Sequence, residues 1–590
     1  MQDPNTFYNT QVERFTKEAK VLQRQLVSFS IYRVVVFLIT AIALYYTFSI
    51  WQVAVGIAIL GAAVFLWLLS RYTDIKAKRD LTRALISINT NEIIIGKGDF
   101  HKRDSGLEFQ NAKHHYSLDL DLFGRGSLFQ YINRTAIKTG KAKLADAMRA
   151  NTISEITQRQ KAIKELASKM DWCQRYSATA SLIEVDTPAN TITSWLQHYK
   201  SFIPHYFKWT PVVFSIVSIA ILVLTIFSIT PPAWLGYWLL IGLGITGIYL
   251  KAINQLAHNT SKAKDTFRQY ATLLDMIEQE AFSSELLKSR QQQINTDANT
   301  ASAIFKEFSK ALDALDNRNN LLSAVLGNGY VLWDIMQAYR IESWIRRYAE
   351  KVEDWFEVVA FFDAYISLGT FGFNHQEFLY PEIKASGATI NAKDLGHPLI
   401  SKDKRITSDL RMERDEFFIV TGANMAGKST FLRTVSLHVV MGNMGLPVCA
   451  SSSEYHPIKL ITSMRTSDSL ADESSYFFSE LTRLKFIVDA IKADRYFIVL
   501  DEILKGTNST DKAIGSRKFV EQLVAANATG IIATHDLSLC AIEAELEPVK
   551  NYYFDAEIVN DELYFDYKLK EGVCKNMNAS FLLKKMKIVN

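Results

Sequence analysis

Between Arg33 and Arg71 the chain carries no charged residue, and between Lys208 and Lys251 it again carries none. Stretches so long and apolar leave few folding options, because a bilayer core accepts about 20 such residues per helical span. Each run is broken once. The first break is a polar, aromatic knuckle at Tyr46, Thr47, Ser49, Trp51 and Gln52, and the second is Pro231-Pro232. The pattern predicts two transmembrane helical hairpins, over residues 31–71 and 208–250. A buried core helix is the other home for an apolar run, but the doubled length and the Trp and Tyr near the ends favour membrane. Residues 1–27 hold Glu13, Arg14, Lys17, Glu18, Lys20 and Arg24, a poor match to a cleaved leader. Lys17, Lys20, Arg24 and Arg33 precede the first run, and Arg71, Lys76, Lys78 and Arg79 follow it. Lys200 and Lys208, then Lys251, Lys262 and Lys264, flank the second. The positive-inside tendency turns both hairpins outward, so the expectation is an integral protein of the plasma or inner membrane with its soluble parts in the cytoplasm.

The remainder must fold in water as several domains, since 590 residues exceed one core. Charged residues at 22% and hydrophobic ones at 48% exclude a disordered chain. The net charge of +4 excludes a dedicated nucleic-acid coat, so any such contact is local. Four cysteines, Cys173, Cys449, Cys540 and Cys574, lie far apart without a CxxC pair, which argues against a disulfide framework or a zinc site and fits a reducing compartment. Residues 1–30 are read as a cytoplasmic helix. Residues 72–207 are read as mainly helical from the spacing of Leu128, Ile132, Leu144, Met148, Ile156, Ile163 and Leu166, with Asn91 to Ile95 as a short strand. Residues 251–395 read as long helices with polar connectors near Ser283 and Asn317–Asn320, and Trp333, Trp344, Tyr348, Trp355 and Phe356 as their packing aromatics. Over 396–590 short apolar strands alternate with helices from Phe417 onward, as in βαβ units.

The chemistry begins in that last region. The apolar run Phe417 to Val420 leads into G-x-x-x-x-G-K-S from Gly422 to Ser429 and then into a helical pattern, which is the context this motif needs. Glycines at 422 and 427 let the loop wrap a triphosphate, so that backbone N–H groups and the helix N-terminus meet its oxygens. Lys428 is placed to reach the β- and γ-phosphates and Ser429 to take one Mg²⁺ position, with Thr430 beside it. A second apolar strand, Tyr496 to Leu500, ends in Asp501-Glu502. Asp501 belongs on the Mg²⁺ side, and Glu502 is the expected base for the attacking water. A third strand, Gly530 to Thr534, ends at His535, placed to sense the γ-phosphate. ATP and Mg²⁺ are the expected cofactors. An acidic pair after a strand is otherwise a helix cap, and a lone histidine is otherwise structural; their order behind the loop decides against both.

Thr421 to Thr430, Asp501 to Asp511 and Ala533 to Leu537 resemble the nucleotide-binding motifs of the MutS family of DNA mismatch-repair ATPases, with Asn424-Met425 inside the loop the most distinctive pair. Ser467 to Glu480 is similar to the family's signature segment, and the resemblance assigns Ser475 to the ATP of the partner subunit. Glu473 and Tyr476 depart from the usual Gly and small hydroxyl there. Asn508, with Ser509 and Asp511, matches the segment that approaches the opposite subunit, and Asn424 joins the nucleotide-binding set. Gly126 to Thr135, Gly140 and Ile153 to Gln160, then Val358 to Leu368 and Gly396-His397-Pro398, resemble the family's helical core. The base-stacking aromatic expected after Pro398 is missing; Arg405 or Ile406 lies near that place.

The fold this implies is a mainly α-helical core followed by an α/β P-loop ATPase domain of ABC/MutS type, with two transmembrane hairpins added. The resemblance implies ATP hydrolysis in a homodimer with composite sites, and DNA as partner in a role related to mismatch repair. No counterpart of the family's aromatic mismatch reader precedes the core. The other open reading keeps the ATPase and drops DNA, leaving a membrane-tethered mechanochemical or assembly factor. A transporter is a weaker version of it, because the spans hold no carboxylate or lysine.

Overall fold

The computed structural model describes residues 3–183, 188–296, 299–316, 321–423, 425–465, 476–505, 507–559 and 562–574. Helix α1 (Pro4–Thr47) starts where the Asp3 carboxylate accepts the Thr6 N–H and proline takes the first turn. It runs without a break across the residue 30/31 boundary expected above. Helix α2 (Trp51–Gly96) returns antiparallel to it, so the turn falls at the predicted knuckle. Thr40 closes on Gly61 where the two helices touch. Along the uncharged half the side chains point away from protein, with Val34 59%, Phe37 63% and Ile59 66% exposed. The polar half is a stalk that packs on the core through Phe15 and Leu85 against Ala178.

The strand expected at Asn91 to Ile95 is instead the last turns of α2. Its Ile-rich run looks extended locally, yet Leu85, Asn89, Glu92 and Ile95 are the buried positions, and that spacing is helical. This face anchors the stalk. Glu92 pairs with Arg134 and accepts from Asn374, Asn89 exchanges amide hydrogen bonds with Gln174, and the Tyr8 hydroxyl donates to Asn374 at 2.6 Å.

The core is helical as expected: α3 (Leu128–Ile132), α4 (Lys138–Arg149), α5 (Ile156–Ser168), α6 (Met170–Ser181) and α7 (Ala189–Gln197) come first. The second hairpin follows as α8 (Thr210–Ile226) and α9 (Ala233–Gln279), with the diproline in the turn between them. Then come α10 (Glu285–Gln292), α11 (Ala301–Asp316), α12 (Leu321–Val331) and α13 (Trp333–Asn374). The Asn317–Asn320 connector lies outside the described residues. Trp344, Trp355 and Phe356 are buried in helix packing.

Among the described residues four helices are long and apolar enough to cross a membrane, but they differ in surroundings. The most apolar windows of α1, α2 and α9 are 6%, 6% and 11% buried, whereas that of α13 is 89% buried, so α13 is the central core helix. The sequence reading did not foresee α12, which joins α8 and α9. Gly242 and Gly329 let the α9 and α12 backbones approach, and Ser218 of α8 donates to the Tyr330 carbonyl at 2.6 Å. A run of eleven residues is too short to stand out by hydropathy.

Among the described residues the C-terminal region builds three sheets. Strands β1 (Glu382–Ile383), β2 (Ile390–Leu395), β3 (Ser408–Met412) and a later β5 form a mixed four-stranded sheet in the order β1-β5-β2-β3, with β4 (Phe417–Gly422) and α14 (Lys428–Met444) preceding β5 (Ser452–Tyr455). The chain continues through β6 (Lys459–Ser463), α15 (Tyr476–Ala493), β7 (Tyr496–Asp501), α16 (Ser509–Ala525), β8 (Thr529–Ala533) and β9 (Val549–Phe554). The short β10 (Glu557–Val559) and β11 (Glu562–Tyr564) pair with each other, and β12 (Leu569–Glu571) closes the large sheet, ordered β12-β9-β4-β8-β7-β6. All its pairings are parallel except β12 with β9, and β4 is fully buried at its centre. The sheet is tied to the helical core: Asn151 exchanges two hydrogen bonds with the backbone of Leu460, and Arg159 donates to the Asn443 carbonyl. Leu582 to Lys587, whose pattern predicts a final basic amphipathic helix, lies outside the described residues.

Candidate nucleotide site

Parallel strands put their C-terminal ends on one side of a sheet, and that is where β4, β7 and β8 deliver the polar residues singled out above. The loop after β4 needs its glycines. Gly422 and Gly427 have φ of 151° and 102°, and a Cβ on Gly422 would sit 2.7 Å from the Phe554 carbonyl oxygen. Lys428 opens α14 and is 6% exposed; its ammonium donates to the carbonyls of Gly422 and Ala423 at 2.8 and 3.0 Å. Burial lowers its pKa, against the pull of Glu502 and Asp501. Ser429 and Thr430 are exposed beside it. The Ser429 hydroxyl donates to Asp501 at 2.7 Å, joining the loop to the end of β7.

Glu502 follows in a left-handed conformation, φ 51°, with its N–H on the Ala533 carbonyl. Its carboxylate lies 2.7 Å from His535 Nε2 and 3.7 Å from Lys505 Nζ. The hydrogen bond from His535 outweighs burial and holds the Glu502 pKa at about 2. Glu502 is therefore an anion at any physiological pH, better suited to orienting a water than to pulling a proton off it unaided. His535 Nε2 also stands 3.3 Å from Lys428 Nζ, so Lys428, Glu502 and His535 converge on one spot. Among the described residues no cluster of three or more His, Cys, Asp and Glu is suited to a metal. A hydroxyl and one carboxylate are hard oxygen donors and fit Mg²⁺, which keeps waters and takes phosphate oxygens for its other positions.

Other predicted positions fall differently. Asn424 and Ser475 lie outside the described residues, as does most of the signature segment. Asn508 is exposed and caps α16: its amide oxygen accepts the Asp511 N–H at 2.8 Å. Arg405 turns inward to the Ile400 carbonyl and Cys449 sulfur, and Ile406 is half exposed. The aromatic that does meet the loop comes from the far end of the sheet, where Tyr567 Cδ1 is 3.0 Å from where a Gly427 Cβ would stand. None of the four cysteines forms a disulfide.

Two supports were not foreseen. Glu480 on α15 is 3% exposed and accepts the N–H groups of Leu504 and Lys505 at 2.6 and 3.1 Å, which pins the turn carrying Glu502. Glu480 ends the signature segment, and its role is set by a turn 24 residues further along the chain. Asp119 and Asp121 of the helical core reach the same domain: Asp119 accepts the Arg465 N–H, and Asp121 takes both guanidinium nitrogens of Arg465 at 2.6 and 2.7 Å. Arg433 of α14 reaches Asp121 at 3.4 Å as well. Replacing Glu480 with Ala leaves two N–H groups without their acceptor, at about 1–3 kcal/mol. ATP turnover is expected to fall about tenfold or more with nucleotide affinity nearly unchanged, measured by steady-state turnover beside equilibrium binding.

A glycine-lined loop between a central strand and a helix, with a carboxylate pair at the end of a parallel strand two places along the same sheet, defines a P-loop nucleotide-binding domain. Residues 418–588 match the family model for MutS domain V. The chain is 33% identical over 202 residues to human MutS protein homolog 4, which covers 32% of this chain and 21% of that protein. It is 30% identical over 232 residues to the DNA mismatch repair protein MutS of Natronomonas pharaonis, 38% and 26% of the two chains. With the Persephonella marina protein of the same name it shares 32% over 194 residues, 32% and 22% of the two chains. Residues 418–588 are thus of the MutS domain V type, and the chain's matches span about a fifth to a quarter of the length of these relatives.

Proposed function

We propose that this chain is a membrane-anchored MutS-family ATPase that closes as a homodimer on ATP and engages DNA. The observation that carries the ATPase reading is the convergence of Lys428, Glu502 and His535 beside the Ser429–Asp501 pair. Lys428 and the loop N–H groups hold the triphosphate, and Glu502, oriented by His535, aligns water against the γ-phosphorus. Ser429 and Asp501 would hold Mg²⁺, which would supply charge neutralisation. Tyr567, whose ring meets the loop at Gly427, takes the base-stacking role expected near Arg405. Ser475 of one subunit completes the site of the other.

The membrane reading is supported by apolar side chains that face away from protein along α1, α2, α8 and α9, an extent of exposed surface that water disfavours. Extraction of the full chain from membranes by detergent but not by carbonate or high salt is the outcome it requires. The DNA reading is supported by the names of the two DNA mismatch repair proteins among the relatives. Its test is ATP turnover of the detergent-solubilised chain with duplex, mismatched, branched and no DNA. Stimulation by lipid and indifference to every DNA supports instead the mechanochemical reading without DNA.

The shared site predicts complementation. Mixing Lys428→Ala with Ser475→Ala subunits rebuilds one intact site per heterodimer, so a random mixture should recover about a quarter of wild-type turnover. A mixture no faster than either variant alone contradicts sites built from two chains.

A further inference from the structure

We propose that the solvent face of the α1/α2 stalk is a docking surface for a nucleic-acid backbone; this rests on the bilayer-anchored, DNA-engaging reading above. Residues 15–33 and 71–88 hold nine Lys and Arg against three Asp and Glu, a surplus of six in a chain whose whole surplus is four. The charge is sorted by face. Phe15, Leu22 and Leu26 are the buried positions of this part of α1, while Lys17, Lys20 and Arg24 are exposed on the opposite side. On α2 the buried positions are Thr82 and Leu85, and Lys76 and Arg83 are exposed with Arg79 between them. Gln23 joins the two rows: its side-chain oxygen accepts from Arg79 at 3.2 Å and from Arg83 at 3.5 Å. Within this face Arg79 is the cation paired to a carboxylate, that of Asp80.

Basic residues beside a span are ordinarily explained by lipid headgroups, and distance decides against that here. At 1.5 Å per residue, Arg24, Lys20 and Lys17 lie about 15, 21 and 25 Å below Val34, and Arg83 about 20 Å beyond Ser70. Headgroups extend only about 5–8 Å past the hydrocarbon edge. Lys17, Lys20 and Arg83 therefore stand more than a screening length of about 8 Å from the nearest lipid phosphate. Arg33, Arg71, Lys76 and Lys78 are close enough for lipid, whereas Lys17, Lys20, Arg24 and Arg83 are exposed beyond it. A row of cations about 10 Å long matches a polyanion with phosphates every few ångströms along one strand, held beside the membrane rather than on it.

The test uses full-length protein in phosphatidylcholine nanodiscs and a labelled duplex of about 30 base pairs. The triple variant Lys17→Gln, Lys20→Gln, Arg83→Gln should weaken duplex binding and reduce the slope of log K against log salt by about 2.7, which is 0.9 per lost phosphate contact. ATP turnover without DNA should not change. If the variant binds the duplex with wild-type affinity and slope, the stalk is not the surface, although the DNA reading stands. If wild type hydrolyses ATP yet shows no salt-dependent duplex binding, both fall. If the variant keeps the duplex but loses a thermal shift that phosphatidylglycerol nanodiscs give over phosphatidylcholine ones, the face belongs to lipid and the proposal is overturned.

Discussion

Replacing Glu502 with Gln should lower ATP turnover by about 10²- to 10⁴-fold while leaving ATP binding intact. The substitution keeps size and removes the charge that aligns water, and it also takes from His535 the anion that lies 2.7 Å away. Lys428, Ser429 and Asp501 are untouched, so the triphosphate should still be held and a closed dimer should accumulate. Turnover, equilibrium nucleotide binding and mass by light scattering read the three effects separately. Turnover near the wild-type rate would remove Glu502 from its role. Trapping of ATP without dimer would keep the role and dismiss the two-chain site.

The largest stability effect is expected far from the nucleotide. Glu92→Gln breaks a bidentate pair with Arg134 inside the joint between stalk and core, where the two side chains are 4% and 11% exposed. Removing one partner leaves a buried guanidinium without its counter-charge, at about 3–5 kcal/mol. Asn374 also loses a charged acceptor at 2.9 Å. Thermal unfolding in detergent should shift down by several degrees. Replacing Glu92 and Arg134 together by apolar residues should recover part of the loss, because no lone charge then remains. A single variant as stable as wild type would mean that water reaches the joint.

How much was legible differs from element to element. The strand, loop and helix over 417–435 were legible because a phosphate cradle imposes its residues on one short stretch. The ends of β7 and β8 were legible for the same reason, and the hairpin turns fell at the knuckle and the diproline. Glu480 had no readable role, since its partners at 504 and 505 are brought to it by the sheet. Tyr567 reaches Gly427 only because β9 lies beside β4 and β12 returns along β9. Asn91 to Ile95 was misread because Ile-rich triplets suit both strand and helix, and burial against Arg134 and Gln174 decided the matter.

Charge-free runs, the loop glycines and the order of the strand-end acids and histidine were determined by the sequence alone, because each depends on neighbours a few residues apart. Which apolar helix is core and which is bare was decided by tertiary structure: α13 and α1 are both apolar enough to span, yet one is 89% and the other 6% buried over that stretch. Hydropathy measures what a segment avoids, and only packing determines what covers it.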